Sequence, residues 1–255
     1  MLNFNFPGKT VLVTGASRGI GQAVATAFAQ ADARVAVHYH QQKETAQQVW
    51  ESLAGKGHVL VQADLANPVA IEQMVNQAIA QLGHIDILVN NAGIYQEHPL
   101  NQISYQDWQA AWQQTIGVNL LGAVNVSYCV ARHMIERRSG RIINVTSRGA
   151  FRGEPIATAY GASKAGLNTF SQSLALHLAP HNIFVTAVAP GWVETDMTRA
   201  VLESPTGEAI RQQSPLNRVA SPEEVADTIL FLASEGAEFL TGAIVDVNGA
   251  SYLRS

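Results

Sequence analysis

The sequence predicts an α/β fold: a doubly wound parallel sheet of about seven strands, with helices on both faces. Three observations carry that expectation. Short β-branched runs at residues 10–13, 34–39, 58–62, 85–89, 142–145, 183–188 and 243–247 alternate with stretches whose apolar residues recur at helical spacing. The first run leads directly into Gly15, Gly19 and Gly21, and then into a helical pattern carried by Val24, Ala25, Ala27, Phe28 and Ala31. The glycines and the polar candidates also fall at the C-terminal ends of strands, where open α/β sheets bind ligands.

Composition narrows the function classes. With 255 residues, 47% of them hydrophobic, the chain can build one substantial core, and no linker divides it; residues 1–255 read as a single domain. The longest candidate loop, about 195–221, is neither low-complexity nor a charge run and reads as an insertion within the fold. A net charge of -4 with scattered lysines and arginines argues against nucleic acid or an anionic membrane, leaving a small molecule as the expected partner. Cys129 is the only cysteine, so no intrachain disulfide and no cysteine-based zinc site is expected. The N-terminus has no charged start followed by a long apolar run, and no segment reaches the roughly 18 apolar residues of a membrane span. A reducing cytoplasm is the expected setting.

Taken in order, the first strand and its G-x-x-x-G-x-G turn suit a pyrophosphate. Glycines let the backbone approach it closely, and the following helix N-terminus supplies free N–H groups; a tight turn is the plain alternative. The second strand lacks the acid that usually holds an adenosine ribose about 20 residues beyond such glycines. It ends instead in His38, Tyr39 and His40, while Ser17 and Arg18 stand in the glycine turn. Without the carboxylate a 2′-phosphate is not repelled, and an arginine can pair with it, so NADP is expected over NAD. His38 and His40 suggest a metal pair only weakly, since no further ligands are in sequence reach; a solvated or phosphate-facing strand end is the expectation. A helix follows over 44–53.

After the third strand, Asp64 and Leu65 either meet an adenine amino group or begin the next turn. Asn67 and Pro68 then open a helix through Leu82 as N-cap and first-turn proline. The fourth strand ends in Asn90, Asn91, Ala92 and Gly93, small and amide residues that let a flat ligand lie on the backbone or form an ordinary turn. A long helical region spans about 105–138 with a break near 115–117, and Asn119 in its apolar setting caps an irregular turn or orders a water. Beyond the fifth strand stands Ser147. Tyr160 and Lys164 follow, four residues apart on a helix over 158–178, so both share one face. A neighbouring ammonium lowers a phenol's pKa, which would make Tyr160 a proton donor and acceptor near neutral pH. Arg148, Arg152 and Glu154 come directly after Ser147; Arg148 would favour an anionic substrate, with a solvated loop as the competing reading. Pro190 and Gly191 end the sixth strand, residues 195–215 read as a lid with an apolar inner face, and Ser221-Pro222-Glu223-Glu224 is a capping-box helix start.

In this order, TGASRGIG at 14–21, Asp64-Leu65, NNAG at 90–93, Asn119, Ser147, YGASK at 160–164, PGWVETDM at 190–197 and TGAIVDVNG at 241–249 make the chain resemble the short-chain dehydrogenases/reductases, from about Lys9 to Gly249. The 3-oxoacyl-carrier-protein reductases are the members it resembles, although Thr186 and Asn248 depart from their usual pattern. The resemblance implies a Rossmann-like sheet, a nicotinamide cofactor and a homotetramer, and it needs no metal. It implies Asn119, Ser147, Tyr160 and Lys164 as the catalytic group. Ser147 would hold a carbonyl oxygen, Tyr160 exchange its proton, Lys164 tune Tyr160 and contact the nicotinamide ribose, and Asn119 hold a water that relays protons. Cofactor contacts are expected from Gly15, Ser17, Arg18, Gly19, Ile20, His40, Asp64, Leu65, Asn91, Ala92, Gly93, Tyr160, Lys164, Pro190, Gly191, Val193 and Thr195. The activity implied is hydride transfer between the nicotinamide and a carbonyl/alcohol pair, with a 3-oxoacyl thioester or a sugar or polyol as substrate. A dinucleotide sensor without turnover is the rival from another class.

Overall fold

Strand and helix alternate along the whole chain because apolar runs and capped, periodic segments alternate in its sequence. The computed structural model describes residues 4–254; the reading of the N-terminal start at residues 1–3 lies outside them. The elements are β1 (Thr10–Val13), α1 (Gly19–Gln30), β2 (Arg34–Tyr39), α2 (Lys43–Ser52), β3 (Val59–Gln62), α3 (Pro68–Leu82) and β4 (Ile87–Asn90). Then come α4 (Tyr105–Ile116), a π-helical turn (Gly117–Gly122), α5 (Ala123–Arg137), β5 (Gly140–Val145), α6 (Gly149–Arg152) and α7 (Thr158–Leu178). After β6 (Ile183–Pro190), α8 (Asp196–Leu202), α9 (Gly207–Arg211) and α10 (Pro222–Ala233) lead to β7 (Ile244–Val247).

Among the described residues seven strands form one sheet in the order β3-β2-β1-β4-β5-β6-β7. Every pairing is parallel, so all C-terminal ends lie along one edge. Side chains alternate between the two faces. Val11, Val13, Val35, Val37, Ile87, Val89 and Ile143 pack with Val24 and Phe28 of α1 and Val225 and Ile229 of α10. Leu12, Ala36, Leu88 and Ile142 point the other way, against Ile71 and Met74 of α3 and Val126 and Val130 of α5. This is the doubly wound arrangement expected, and the strand order reverses between β1 and β4.

Toward the ligand edge the second face turns polar. Asn90 and Asn144 are register partners on β4 and β5. The Asn90 amide donates to Ser127 Oγ (2.9 Å) and Asn144 Oδ1 (2.8 Å), and the Asn144 amide donates to Ser171 Oγ (2.8 Å). These bonds tie the sheet to α5 and α7 just beneath the site.

Three boundaries differ from expectation for physical reasons. Ile85 and Asp86 lie before β4 because Asp86 is held in a polar knot at the opposite edge. Its carboxylate accepts from Thr10 N (2.9 Å), Thr10 Oγ1 (3.1 Å) and Arg137 Nη2 (2.7 Å), with His84 Nε2 at 3.1 Å. The break expected near 115–117 is a π-helical turn slightly downstream, continuous with both flanking helices. The segment after Ser147 is α6 rather than a solvated loop, and Arg148 is buried.

The knot at Asp86 yields a stability test. Burial raises its carboxyl pKa, but Arg137, the Thr10 N–H and His84 outweigh burial and hold it below its ordinary 3.8. A depressed folded pKa contributes stability that is present above the unfolded value and is lost as pH falls through the folded one. Asp86→Asn is expected to cost about 1–3 kcal/mol at neutral pH. Thermal melts should show this deficit shrinking as pH drops below about 4.

Candidate active site

The site is assembled where the turns after β1 and β4 meet. Thr14 Oγ1 accepts the backbone N–H groups of Asn91 (3.0 Å) and Ala92 (3.1 Å). The Asn91 amide donates back to the carbonyls of Thr14 (2.9 Å) and Gly15 (3.1 Å). Gly15 has a φ of +63°, and a Cβ there would sit 2.9 Å from Ala92 Cα, so only glycine fits. A Cβ on Gly21 would overlap the Gly15 carbonyl oxygen, which sets the close turn into α1. Ile20 packs against the core beside it, while Ser17 and Gly19 stay part-exposed in the turn.

His38 braces this turn from β2. Gly15 N–H donates to its Nδ1 (3.0 Å), which leaves Nε2 to donate to the carbonyl of Ala63 (3.1 Å). Burial pushes its pKa down to about 4. The expectation of a solvated or phosphate-facing His38 is therefore corrected: the ring is buried and hydrogen-bonded to its neighbours. Only His40 is exposed at that strand end, 3.9 Å from Asp64. Asp64 Oδ1 accepts Ala66 N–H (2.9 Å), closing a turn at the cleft. The Leu65 side chain lies in the core, away from the cleft.

Arg18 stands exposed at the N-cap of α1, makes no ion pair among the described residues, and begins a helix with no acid in its first turn. With the glycine cradle and the free N–H groups at the start of α1, these residues fit a nicotinamide dinucleotide. Across the turn, the Thr195 methyl lies 3.2 Å from where a Gly19 Cβ would be, so the start of α8 touches the cradle. Pro190 and Gly191 lead from β6 to that point, and Val193 is buried. A parallel bridge between Val193 and Ala220 closes the base of the segment holding α8 and α9.

Asn119, Ser147, Tyr160 and Lys164 converge on the same edge. Asn119 is fully buried in the π-helical turn; its Oδ1 accepts Ile94 N–H (2.8 Å), and its amide donates to Ile94 O (2.9 Å) and Ser163 Oγ (3.3 Å). One lone pair of Oδ1 remains for a water. Both Asn119 Oδ1 and Lys164 Nζ lie 3.4 Å from the position a Gly93 Cβ would occupy. Lys164 Nζ donates to Val145 O (2.8 Å) and sits 5.7 Å from the Tyr160 ring centroid. Ser147 Oγ accepts Gly149 N–H (3.0 Å), and its hydroxyl faces that of Tyr160.

The electrostatics differ from the sequence reading. Burial pushes the Tyr160 phenol up to about 12, opposed by the Ser147 hydroxyl and reinforced by the Glu154 carboxylate. Burial also pushes the Lys164 ammonium down to about 8. The expected lowering of Tyr160 by Lys164 is thus not found. The ammonium is aimed at a carbonyl rather than at the phenol oxygen, and desolvation prevails.

Arg148 also departs from expectation. Its guanidinium donates to Gln213 Oε1 and Ser251 Oγ (2.6 Å each) and lies 6.0 Å from the Trp192 ring centroid. It therefore ties the Ser147 turn to the segment after α9 and to the C-terminal tail, while Arg152 stays exposed. Sequence reasoning also missed His98 and Tyr95, which lie in the loop after β4. Tyr95 packs edge-on to Tyr160, with ring centroids 5.2 Å apart. Among the described residues no helix is long and apolar enough to cross a membrane.

Comparison with known proteins identifies the family. Residues 15–250 match the family described as Enoyl-(Acyl carrier protein) reductase. The chain is 40% identical to the 3-oxoacyl-[acyl-carrier-protein] reductase of Aquifex aeolicus, covering 98% of this chain and all of that one. It is 38% identical to the enzyme of that name from Staphylococcus epidermidis, covering 96% and 99%. A dehydrogenase/reductase from Sinorhizobium meliloti superposes with a TM-score of 0.90 at 33% identity, covering 98% of each chain. The chain belongs to the short-chain dehydrogenase/reductase family of NAD(P)-dependent oxidoreductases.

Proposed function

We propose that the protein is an NADP-dependent reductase of carbonyl compounds, with Ser147, Tyr160 and Lys164 as its catalytic residues and Asn119 supporting them. The observation that carries this reading is the convergence of these side chains beside Gly93, next to a cradle suited to a dinucleotide. When bound, the nicotinamide supplies or accepts the hydride. Gly15, Ser17, Gly19, Ile20 and Thr195 would hold the phosphates, Arg18 and His40 the 2′-phosphate, and Asp64 with the Leu65 backbone the adenine. Asn91, Ala92, Gly93, Pro190, Gly191 and Val193 would line the nicotinamide end, with Lys164 on its ribose.

The chain's own contribution is to hold oxygen and move a proton. Ser147 donates a hydrogen bond to the substrate oxygen, and Tyr160 gives that oxygen its proton. A phenol held near 12 stays protonated at neutral pH and can serve as the acid when a carbonyl is reduced. The Ser147 hydroxyl that opposes the rise of the Tyr160 pKa also supports the phenolate left behind, and a water on the free lone pair of Asn119, beside Lys164, returns the proton. Residues 195–215 act as the lid, hinged at the Val193–Ala220 bridge.

The relatives' names favour a 3-oxoacyl thioester as the first substrate to test, with a sugar or polyol as the alternative. The exposed Tyr105, Leu121 and Tyr128 offer apolar surface for the homotetramer proposed here, and a cytoplasmic location accompanies that reading.

Wild type and Tyr160→Phe assayed on 3-oxoacyl thioesters, sugars and simple ketones, with NADPH and NADH in parallel, test the activity. Turnover by wild type alone is expected, with Tyr160→Phe slower by about a hundredfold or more. Tight NADPH binding without turnover on any substrate would establish a sensor instead. Arg18→Ala should raise KM for NADPH about tenfold while leaving NADH unchanged. Equal effects on both cofactors would remove Arg18 from the phosphate site.

A further inference from the structure

A helix begins with N–H groups that have no partner within the helix, and the residue before it normally supplies an acceptor. At α7 that residue is Ala157, which has none. Ala157 and Ala159 are also fully buried, so water does not serve these groups either. The acceptor comes from 61 residues upstream: Ala159 N–H donates to His98 Nε2 (3.2 Å), and Thr158 Oγ1 lies 3.1 Å from the same nitrogen. Because Nε2 accepts, the ring proton sits on Nδ1 and donates to the Gln96 carbonyl (2.9 Å). The backbone N–H of His98 donates to Ile156 O (2.7 Å), and the residue is 1% exposed.

We propose that His98 is a positioning residue, standing in for the cap that α7 lacks and thereby fixing the placement of Tyr160. Ala159 is the residue immediately before Tyr160. Residues 94–98 form a strap pinned at one end by Asn119 on Ile94 and at the other by His98 on α7. Between the pins, Tyr95 rests edge-on against Tyr160. Loss of the His98 contact frees the first turn of the helix and the aromatic neighbour together, so the phenol no longer meets the oxygen held by Ser147. The cradle around Gly15 is held by its own bonds between Thr14–Gly15 and Asn91–Ala92, upstream of the strap, and is not disturbed. The inference rests on Tyr160 being the proton donor.

Two substitutions separate the cap from the imidazole as such. A glutamine carries an acceptor to where Nε2 sits, whereas an asparagine carries its amide only as far as Nδ1. With NADPH Kd and binding stoichiometry used to count folded sites, His98→Asn and His98→Ala are expected to keep cofactor affinity. Both should lower kcat per site about tenfold or more, and His98→Gln should restore most of it. Equal kcat per site in all variants would overturn the proposal, as would equal losses in His98→Gln and His98→Asn. If His98→Ala does not fold, the Gln–Asn pair still decides. Hydrogen exchange over residues 157–163 supplies a readout independent of turnover: faster exchange in His98→Asn than in His98→Gln is expected, and equal exchange would overturn the cap. A wild type with no turnover would instead sink the functional reading while the exchange result stood.

Discussion

The structure depends on one joint, where the turns after β1 and β4 lie against each other. Thr14 accepts two N–H groups from the second turn, and Asn91 returns two hydrogen bonds to the first. The approach is close enough that Gly15 has no room for a side chain against Ala92. Because the strand order reverses between β1 and β4, this joint is also where the sheet opens a crevice. The glycine cradle lies on one side of it, and on the other Gly93 faces Asn119 and Lys164. A single set of side chain–backbone contacts thus sets the spacing between the glycine turn and the Asn119–Lys164 group.

Burial then sets the chemistry of what the joint brings together. An ammonium out of water favours its neutral form, and a phenol out of water favours its protonated form. Lys164 and Tyr160 are shifted in those two opposite directions, the ammonium down to about 8 and the phenol up to about 12. In the proposed reading the pair is a proton donor beside a cation whose pKa burial lowers to about 8. The Asn90–Asn144–Ser171 bonds beneath it hold β4, β5 and α7 in fixed register, so the donor, the Ser147 turn and the cation keep their relative positions.

What was legible in the sequence was whatever is written locally. β1, β2, α3 and α7 fall where apolar runs, Asn67-Pro68 and helical spacing place them. The motif residues at strand ends gather at one edge because a parallel sheet leaves them no other place. Long-range polar contacts were not legible. Arg148 looked like a solvated residue because its acceptors, Gln213 and Ser251, are 65 and 103 residues away. His38 looked like a strand-end residue because Ala63 is 25 residues on, and His98 carried no signal except the missing cap at Ala157. The Tyr-x-x-x-Lys spacing named the right neighbours but said nothing of burial, so the direction of the Tyr160 shift was misread.

The central claim is that a protonated Tyr160 works beside a Lys164 whose charge is lost near pH 8. The pH dependence of kcat/KM for carbonyl reduction reports ionisations of the free enzyme. The account predicts a plateau at lower pH and a fall through a single ionisation at about 8, as the buried Lys164 ammonium beside Gly93 loses its proton. A profile that stays level to pH 10, or that rises through pH 8, would contradict it.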